Sequence, residues 1–410
     1  MKKPIVWIVN PYDPVPSDSQ QPIRYAYLAA ALAQKDVKVV WWTSSFDHIS
    51  KKQRAIAQPN HRVDCSYQIA TIPVPNYRSN TGFARLWNHL IFEFRFYRKA
   101  SKTAERPDVI LASLPPLLTP WLAMRLASKW RSIGIIDVQD LWPEAFLTLL
   151  ARFPKRLVQA LLNGLYRLRD SAVQNATSVT GVSATYASAV ARNEPDKHQA
   201  IFVLGADVAS HRIQSISSSR VPEKTSTEQW FLRSGVVGHF CDVGVLIATA
   251  KQLSSSRPDI KLVIAGRGPA FPALKQGVAK HDLQNLLCYE DVSYEELIVL
   301  HRFADATLCL YTEDATHSLV NKAFDSMAAG KAIINSVAGE MADVVESERI
   351  GINCQAGDSD SLMEAIVTLA SNTELLSLYG ENARRLADER YDKRVVYEQY
   401  AEWILGEVGK

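Results

Sequence analysis

The chain has 410 residues, 47% of them apolar and 22% charged, which suits two globular cores and excludes a disordered chain, a collagen-like repeat or a coiled-coil rod. Lysine and arginine total 46 against 43 aspartates and glutamates, so no global field marks a nucleic-acid binder. Five cysteines, Cys65, Cys241, Cys288, Cys309 and Cys354, are odd in number and widely spaced; this points away from a disulfide framework or a zinc site and towards a reducing, cytoplasmic setting.

In chain order, the apolar run Ile5–Val9 reads as a strand and is too short for a signal-peptide core. A proline-rich loop over 10–22 leads to a helix over 23–34 and a strand over 37–43, a unit that builds parallel sheets. Strands over 109–112, 133–138 and 178–182 alternate with helices over 120–130 and 155–176. The strands are short and almost wholly apolar, as in a sheet covered on both faces. Residues 209–229 are rich in Ser, Thr, Arg and Lys and read as a linker or surface loop. Strands over 230–234, 261–265, 287–289, 306–310 and 332–336 then alternate with helices over 243–255, 272–280, 293–302, 320–329 and 361–370. Residues 374–405 read as helical, with a turn near 390–393. No apolar stretch of about 18 residues is uninterrupted, so no transmembrane helix is expected.

The densest chemical signal is YTEDATHSLVNKAFDSMAAGKAIINS, residues 311–336. A helix starting near Ser318–Asn321 presents free amides and a partial positive charge, enough to hold a diphosphate. Asn321 and Lys322 fall in or just ahead of its first turn, and Asp325 one turn on can accept hydrogen bonds from a ribose diol. The same residues also suit a plain amphipathic helix with Lys322 and Asp325 at the solvent. Asp358 and Asp360 form the one Asp-x-Asp. They precede a helix, where aspartate caps the first turn, so no metal is expected.

This segment resembles the donor-site signature of the retaining GT-B glycosyltransferases, the glycosyltransferase-family-4-like group, of the bacterial surface-polysaccharide type. There a Glu, seven residues and a second Glu precede a small-residue stretch. Asp325 matches the second acidic position and His317 stands at the first, while SLVNKAFDSMAAGKAII is similar to a "SLPNKxFDYxAAGxPII" variant. The matches continue through VLGADV (203–208), IAGRGP (264–269), VSYEEL (292–297) and AGDSDSL (356–362). They also include SGVVGHFCDVGVLIATAKQL (234–253) and DVQDLWPEAF (137–146).

The resemblance implies an α/β GT-B fold of two Rossmann-like, doubly wound domains facing a cleft. The domains would be an acceptor domain over 1–203 and a donor domain over 204–385, with a terminal helix over 386–410 crossing back. It implies sugar transfer from a nucleotide-sugar, with a UDP-sugar favoured over a GDP-sugar, and no separate cofactor. The acceptor would be a lipid-linked or other glycan at the cytoplasmic membrane face, and no nucleic acid is expected. Gln139, Asp140 and His317 then stand at catalytic positions. Donor contacts fall on His239, Arg267, Ser318, Leu319, Asn321, Lys322 and Asp325, and acceptor contacts on Arg24 and Glu144.

Three of these have a plainer reading of their own. Arg267 also suits a solvated turn, Asp140 a capping residue and Arg24 an exposed helix position. The loop after the first strand has no glycine, and the loop after residue 234 shows no Lys or Arg. Those departures keep a second function open, a non-catalytic GT-B subunit that binds glycan or supports a partner transferase. A sugar-nucleotide epimerase needs acidic and histidine pairs that do not emerge. Residues 83–102 carry Arg85, Arg95, Arg98, Lys99 and Lys102 within about 140° of helical arc, beside an apolar arc of about 100° that includes Trp87. This suits either an interfacial helix on anionic lipid or a core helix with a solvated basic edge.

Overall fold

The computed structural model describes residues 3–18, 23–54, 67–79, 82–147, 153–221 and 224–409. Gln20, Gln21, Cys65 and Pro222 lie outside the described residues. The chain divides into two compact units, residues 1–204 with 394–410, and residues 205–393.

Unit 1 is built on β1 (Ile5–Val9), β2 (Lys38–Ser44), the small hairpin β3 (Phe46–Asp47) and β4 (Lys52–Gln53), and β5 (Gln68–Ile72). β6 (Val109–Leu114), β7 (Ile133–Val138), β8 (Ser178–Gly181) and β9 (His198–Ile201) complete it. Seven strands form one sheet in the order β5-β2-β1-β6-β7-β8-β9, and every pairing in it is parallel. All five residues of β1 and all six of β6 are buried. Helices on both faces therefore cover the central strands, as their unbroken apolar runs require. β5 was not expected from the sequence. It is an edge strand with one neighbour, and QIATI mixes polar with apolar residues.

Unit 2 contains β10 (Gln229–Ser234), β11 (Ile260–Gly266), β12 (Leu286–Glu290), β13 (Ala306–Cys309), β14 (Ala332–Asn335) and β15 (Gly351–Asn353). Its sheet order is β12-β11-β10-β13-β14-β15, again parallel. Strand order reverses at β1/β6 in unit 1 and at β10/β13 in unit 2. In such doubly wound sheets the reversal opens a crevice at the carboxyl ends of the strands. Local signals set the helix starts: Asp242 accepts from the Val245 amide, and Ser293 with Glu296 closes a capping box.

Two expectations are corrected. The Ser/Thr-rich 209–229 segment is no linker between the units. It belongs to unit 2, where Val221 and Ile216 pack on the Trp230 cluster and Arg220 pairs with Glu296 at 3.2 Å. Unit 2 also extends through Lys393 rather than ending at 385; a π-helical turn, Ala387–Tyr391, continues the helix Thr373–Leu386.

Candidate active site

In unit 2 the chemistry gathers where β10 and β13 end. Arg233, near the end of β10, is 1% exposed. One guanidinium nitrogen donates to the Val236 carbonyl at 3.2 Å, while Nε and Nη1 are buried with no hydrogen-bond partner. An unpartnered buried donor is costly, and here two sit on one cation. Next to it, Lys322 opens the helix Asn321–Ala328. Its ammonium lies 4.8 Å from the Tyr311 ring centre. Burial and then the Arg233 charge push its pKa down to about 7. Neither suggests a solvent-facing lysine, so the plain amphipathic helix does not describe this position.

Backbone geometry makes room for that lysine. Gly235 has φ +99°, and a Cβ there would sit 2.7 Å from Lys322 Cε. Gly266 closes the opposite wall: a Cβ on it would lie 2.0 Å from the Gly235 carbonyl oxygen. The glycine turn of IAGRGP thus packs directly on the loop that follows β10. Val320, the residue capping the 321–328 helix, supplies no side-chain bond to its first-turn amides. Two cations thus lie beside a helix start that no side chain caps, and among the described residues no carboxylate is paired with either cation.

The other expected donor residues divide. His317 packs between Tyr311 and Phe240, with ring centres 4.6 and 5.1 Å away. Burial and then Lys322 lower its pKa, so the ring is neutral, and its Nδ1 is buried without a partner. Ser318 donates to Glu340 at 2.8 Å, and Leu319 is half-buried ahead of the helix. Asn321 and Arg267 are exposed. His239 is exposed and pairs with Asp314 at 3.3 Å. Asp325 is half-buried on the side of the helix facing Lys393 and Asp207, and burial pushes its carboxyl up to about 6. Asp358 accepts from the amides of Asp360 and Ser361 at 2.9 and 3.1 Å, so it caps its helix.

In unit 1 the expected acceptor residues are largely consumed by structure. Arg24 is fully buried, and two of its nitrogens donate to Asp137 at 2.7 and 2.8 Å while a third donates to the Phe202 carbonyl at 2.7 Å. Its expected role as an acceptor contact is corrected, because every direction of the guanidinium is committed. Gln139 donates to the Tyr25 hydroxyl at 2.9 Å, which itself donates to Asp137 at 2.6 Å. Asp140 accepts from the Leu141 amide at 2.8 Å, and burial raises its pKa. Glu144 accepts from the buried Arg169 at 2.8 Å.

A second polar cluster, missed in the sequence, surrounds the carboxyl ends of β1, β2 and β5. Tyr12 contacts His89 Nε2 at 2.6 Å, and His48 contacts the Tyr77 hydroxyl. Arg85 lies 5.7 Å over Tyr12 and 6.0 Å over Trp142, and Lys51 lies 4.9 Å over Tyr77. Burial lowers the His48 pKa to about 4 and that of His89 to about 3. Arg85 therefore belongs to this cluster rather than to a lipid-facing basic edge.

The helix Phe83–Ala100 buries Asn88, Phe92, Glu93, Phe96 and Ala100. Its other apolar face is open: Phe83, Trp87 and Phe94 are 84%, 54% and 63% exposed. The core-helix reading required that arc to be buried. Arg98 and Lys102 are exposed, Arg95 donates to the Pro73 carbonyl at 2.7 Å, and Lys99 sits over the Trp42 ring. Among the described residues no helix is long and apolar enough to cross a membrane.

Residues 217–386 match the family model described as glycosyl transferases group 1. Over the whole chain the structure is similar to a sucrose-phosphate synthase from Thermosynechococcus elongatus, with TM-score 0.68, 16% identity, and 99% and 100% of the two chains covered. It is also similar to the Anabaena protein HepE in complex with UDP (TM-score 0.67, 14% identity, 98% and 100% covered). WaaG, a glycosyltransferase involved in lipopolysaccharide biosynthesis, superimposes with TM-score 0.63, 13% identity, and 98% and 100% covered. No curated protein sequence matches. The chain has the GT-B fold, with two Rossmann-like units. Within its second unit, residues 217–386 are similar to the glycosyl transferases group 1 domain, and that similarity together with the fold supports a glycosyltransferase.

Proposed function

We propose that this protein is a retaining, metal-independent glycosyltransferase that moves a hexosyl or N-acetylhexosaminyl group from a nucleoside-diphosphate sugar, preferably a UDP-sugar, to a lipid-linked glycan in surface-polysaccharide synthesis. The observation that carries the reading is the pairing of buried, unpartnered Arg233 with Lys322 beside the open first turn of the 321–328 helix. When the bond from the anomeric carbon to phosphate breaks, its electron pair stays on the diphosphate. Preorganised cations and amides stabilise that charge in a water-poor crevice. Charge-assisted bonds from Arg233 and Lys322 are the strong kind. His317, neutral and with a free Nδ1, serves the donor sugar, and Asp325 the ribose. HepE, crystallised with UDP and with UDP-glucose, lends support to the uridine preference.

The acceptor is assigned to unit 1, where Gln139 and Asp140 border the buried Asp137 network and the Tyr12–His89 cluster supplies further polar groups. The exposed apolar arc of the 83–100 helix with Arg98, Lys99 and Lys102 suits the inner face of an anionic membrane. Titration calorimetry with UDP tests the donor site. Arg233→Ala, Lys322→Ala and Asp325→Ala should each weaken binding roughly 10–150-fold, the cost of a lost charged hydrogen bond of about 1.5–3 kcal/mol. Release of UDP from UDP-glucose or UDP-N-acetylglucosamine should persist in EDTA. UDP affinity untouched by Arg233→Ala in a folded protein would remove the assigned site.

The commitment of Arg24 and Gln139 to the core favours the second reading, a non-catalytic subunit. Tight UDP binding without turnover on any glycan acceptor would select it.

A further inference from the structure

Just past β13 the chain reaches Tyr311, whose backbone is clamped to the neighbouring strand. Its amide donates to the Ser336 hydroxyl at 2.9 Å, and that hydroxyl donates back to the Tyr311 carbonyl at 3.0 Å. The Ser336 amide donates to the Cys309 carbonyl at 3.1 Å, and the Thr312 amide to the Phe240 carbonyl at 3.2 Å. The ring that leaves this clamp is half-buried, and two side chains from different segments meet it. The Lys322 ammonium lies 4.8 Å from its centre, and the His317 ring lies 4.6 Å away, tilted by 47°. Phe240 backs His317 at 5.1 Å.

The groups around Lys322 define what that ring contributes. Arg233 faces it from β10, Cys309 from β13 and Cys241 from the loop after β10, while His317 lies in the loop ahead of its own helix. Burial raises the Cys241 thiol and pushes that of Cys309 up to about 12, so both are neutral, as is His317. The Tyr311 phenol, also pushed up to about 12 by burial, stays un-ionised. Asp325, further along the helix, faces Lys393 and Asp207 instead. Among the described residues no carboxylate pairs with Lys322 to offset Arg233. The electron-rich face of the Tyr311 ring is then the group that favours an ammonium there.

We propose that Tyr311 is a positioning residue of the donor site: its ring face holds the Lys322 ammonium beside Arg233, ready for the donor diphosphate, and the same ring sets the His317 imidazole. The role rests on the donor-site reading of unit 2. The clamp by Ser336 matters because a ring that could swing would fix neither partner.

Titration calorimetry of the full chain with UDP at pH 8 tests it. Tyr311→Phe keeps the ring face and should bind UDP as the wild type does. Tyr311→Leu removes the face and should weaken binding about 2–30-fold, the range of a cation–ring contact. A second readout needs no ligand. NMR of isotope-labelled lysines in the unliganded protein follows the Lys322 titration, with Lys322→Met assigning the signal. Its midpoint should fall in Tyr311→Leu, because the ring no longer favours the charged form, and should stay in place in Tyr311→Phe. Should Tyr311→Leu not fold, replacing Tyr311 with pentafluorophenylalanine keeps the ring shape, reverses the sign of its face, and should reproduce both changes. An unchanged Lys322 midpoint in either folded variant, or equal losses of affinity in Tyr311→Phe and Tyr311→Leu, overturns the role of Tyr311 and leaves the donor site standing. Wild-type protein that does not bind UDP removes the donor site and this role with it.

Discussion

Lys322 concentrates the chemistry of unit 2 in one titration. Its pKa of about 7, against 10.5 for a free lysine, follows from burial beside Arg233. Between those two values the unfolded chain holds a proton that the native, unliganded protein lacks, so unliganded stability rises with pH across the window. A bound diphosphate reverses the balance by favouring the ammonium. At pH 8, where the terminal phosphate of UDP is already ionised, UDP binding should therefore take up nearly one proton. Calorimetry in two buffers of different ionisation enthalpy reads this directly, and Lys322→Met should abolish it. Arg24 gives the opposite residue-scale expectation. Arg24→Ala strands the Asp137 carboxylate in the core, and losing one partner of a buried pair costs about 3–5 kcal/mol. Chemical denaturation should show that loss with UDP affinity intact; an acceptor-contact role would leave stability unchanged.

At the scale of elements, many strands were legible because parallel strands buried on both faces leave unbroken apolar runs, as in Ile5–Val9. The function of Arg233 was not legible from the loop after residue 234, because the cation sits one step earlier, inside the strand. An arginine within an otherwise apolar run was the available signal. Arg24 misled for a related reason. Its helix begins at Tyr25 with buried alanines and leucines, and the carboxylate that holds it lies 113 residues away in β7. Segment 209–229 looked like a linker by composition, yet Val221 and Ile216 seat it on the Trp230 cluster. Gly235 was visible only as part of a motif, and its role is geometric. Gly235→Ala forces a side chain into a positive φ at a cost of about 1–3 kcal/mol, and pushes a methyl group into Lys322. UDP affinity should fall by more than the melting temperature accounts for, as shown by calorimetry at a temperature where the variant is folded.

For the whole molecule, the proposed membrane face is a property of one helix surface. Trp87→Ser with Phe94→Ser should remove the salt-resistant part of binding to phosphatidylglycerol vesicles, since both rings are more than half exposed. Arg98→Gln with Lys102→Gln should remove a salt-sensitive part worth about 1 kcal/mol per charge, screened over a Debye length of about 8 Å. Flotation at low and high salt separates the two, and equal flotation of all variants would make the surface irrelevant to lipid. The division of the chain has a consequence of another kind. Unit 1 needs residues from 394 onward: Tyr400 stacks on Phe202 at 4.1 Å and reaches Thr180 at 2.6 Å, and Glu407 accepts from Ser178 at 2.7 Å. Unit 2 is one uninterrupted stretch, residues 205–393. On the ribosome the half that is made first is therefore completed last. While unit 2 closes, the nascent unit 1 still lacks the Tyr400 and Glu407 contacts to β8.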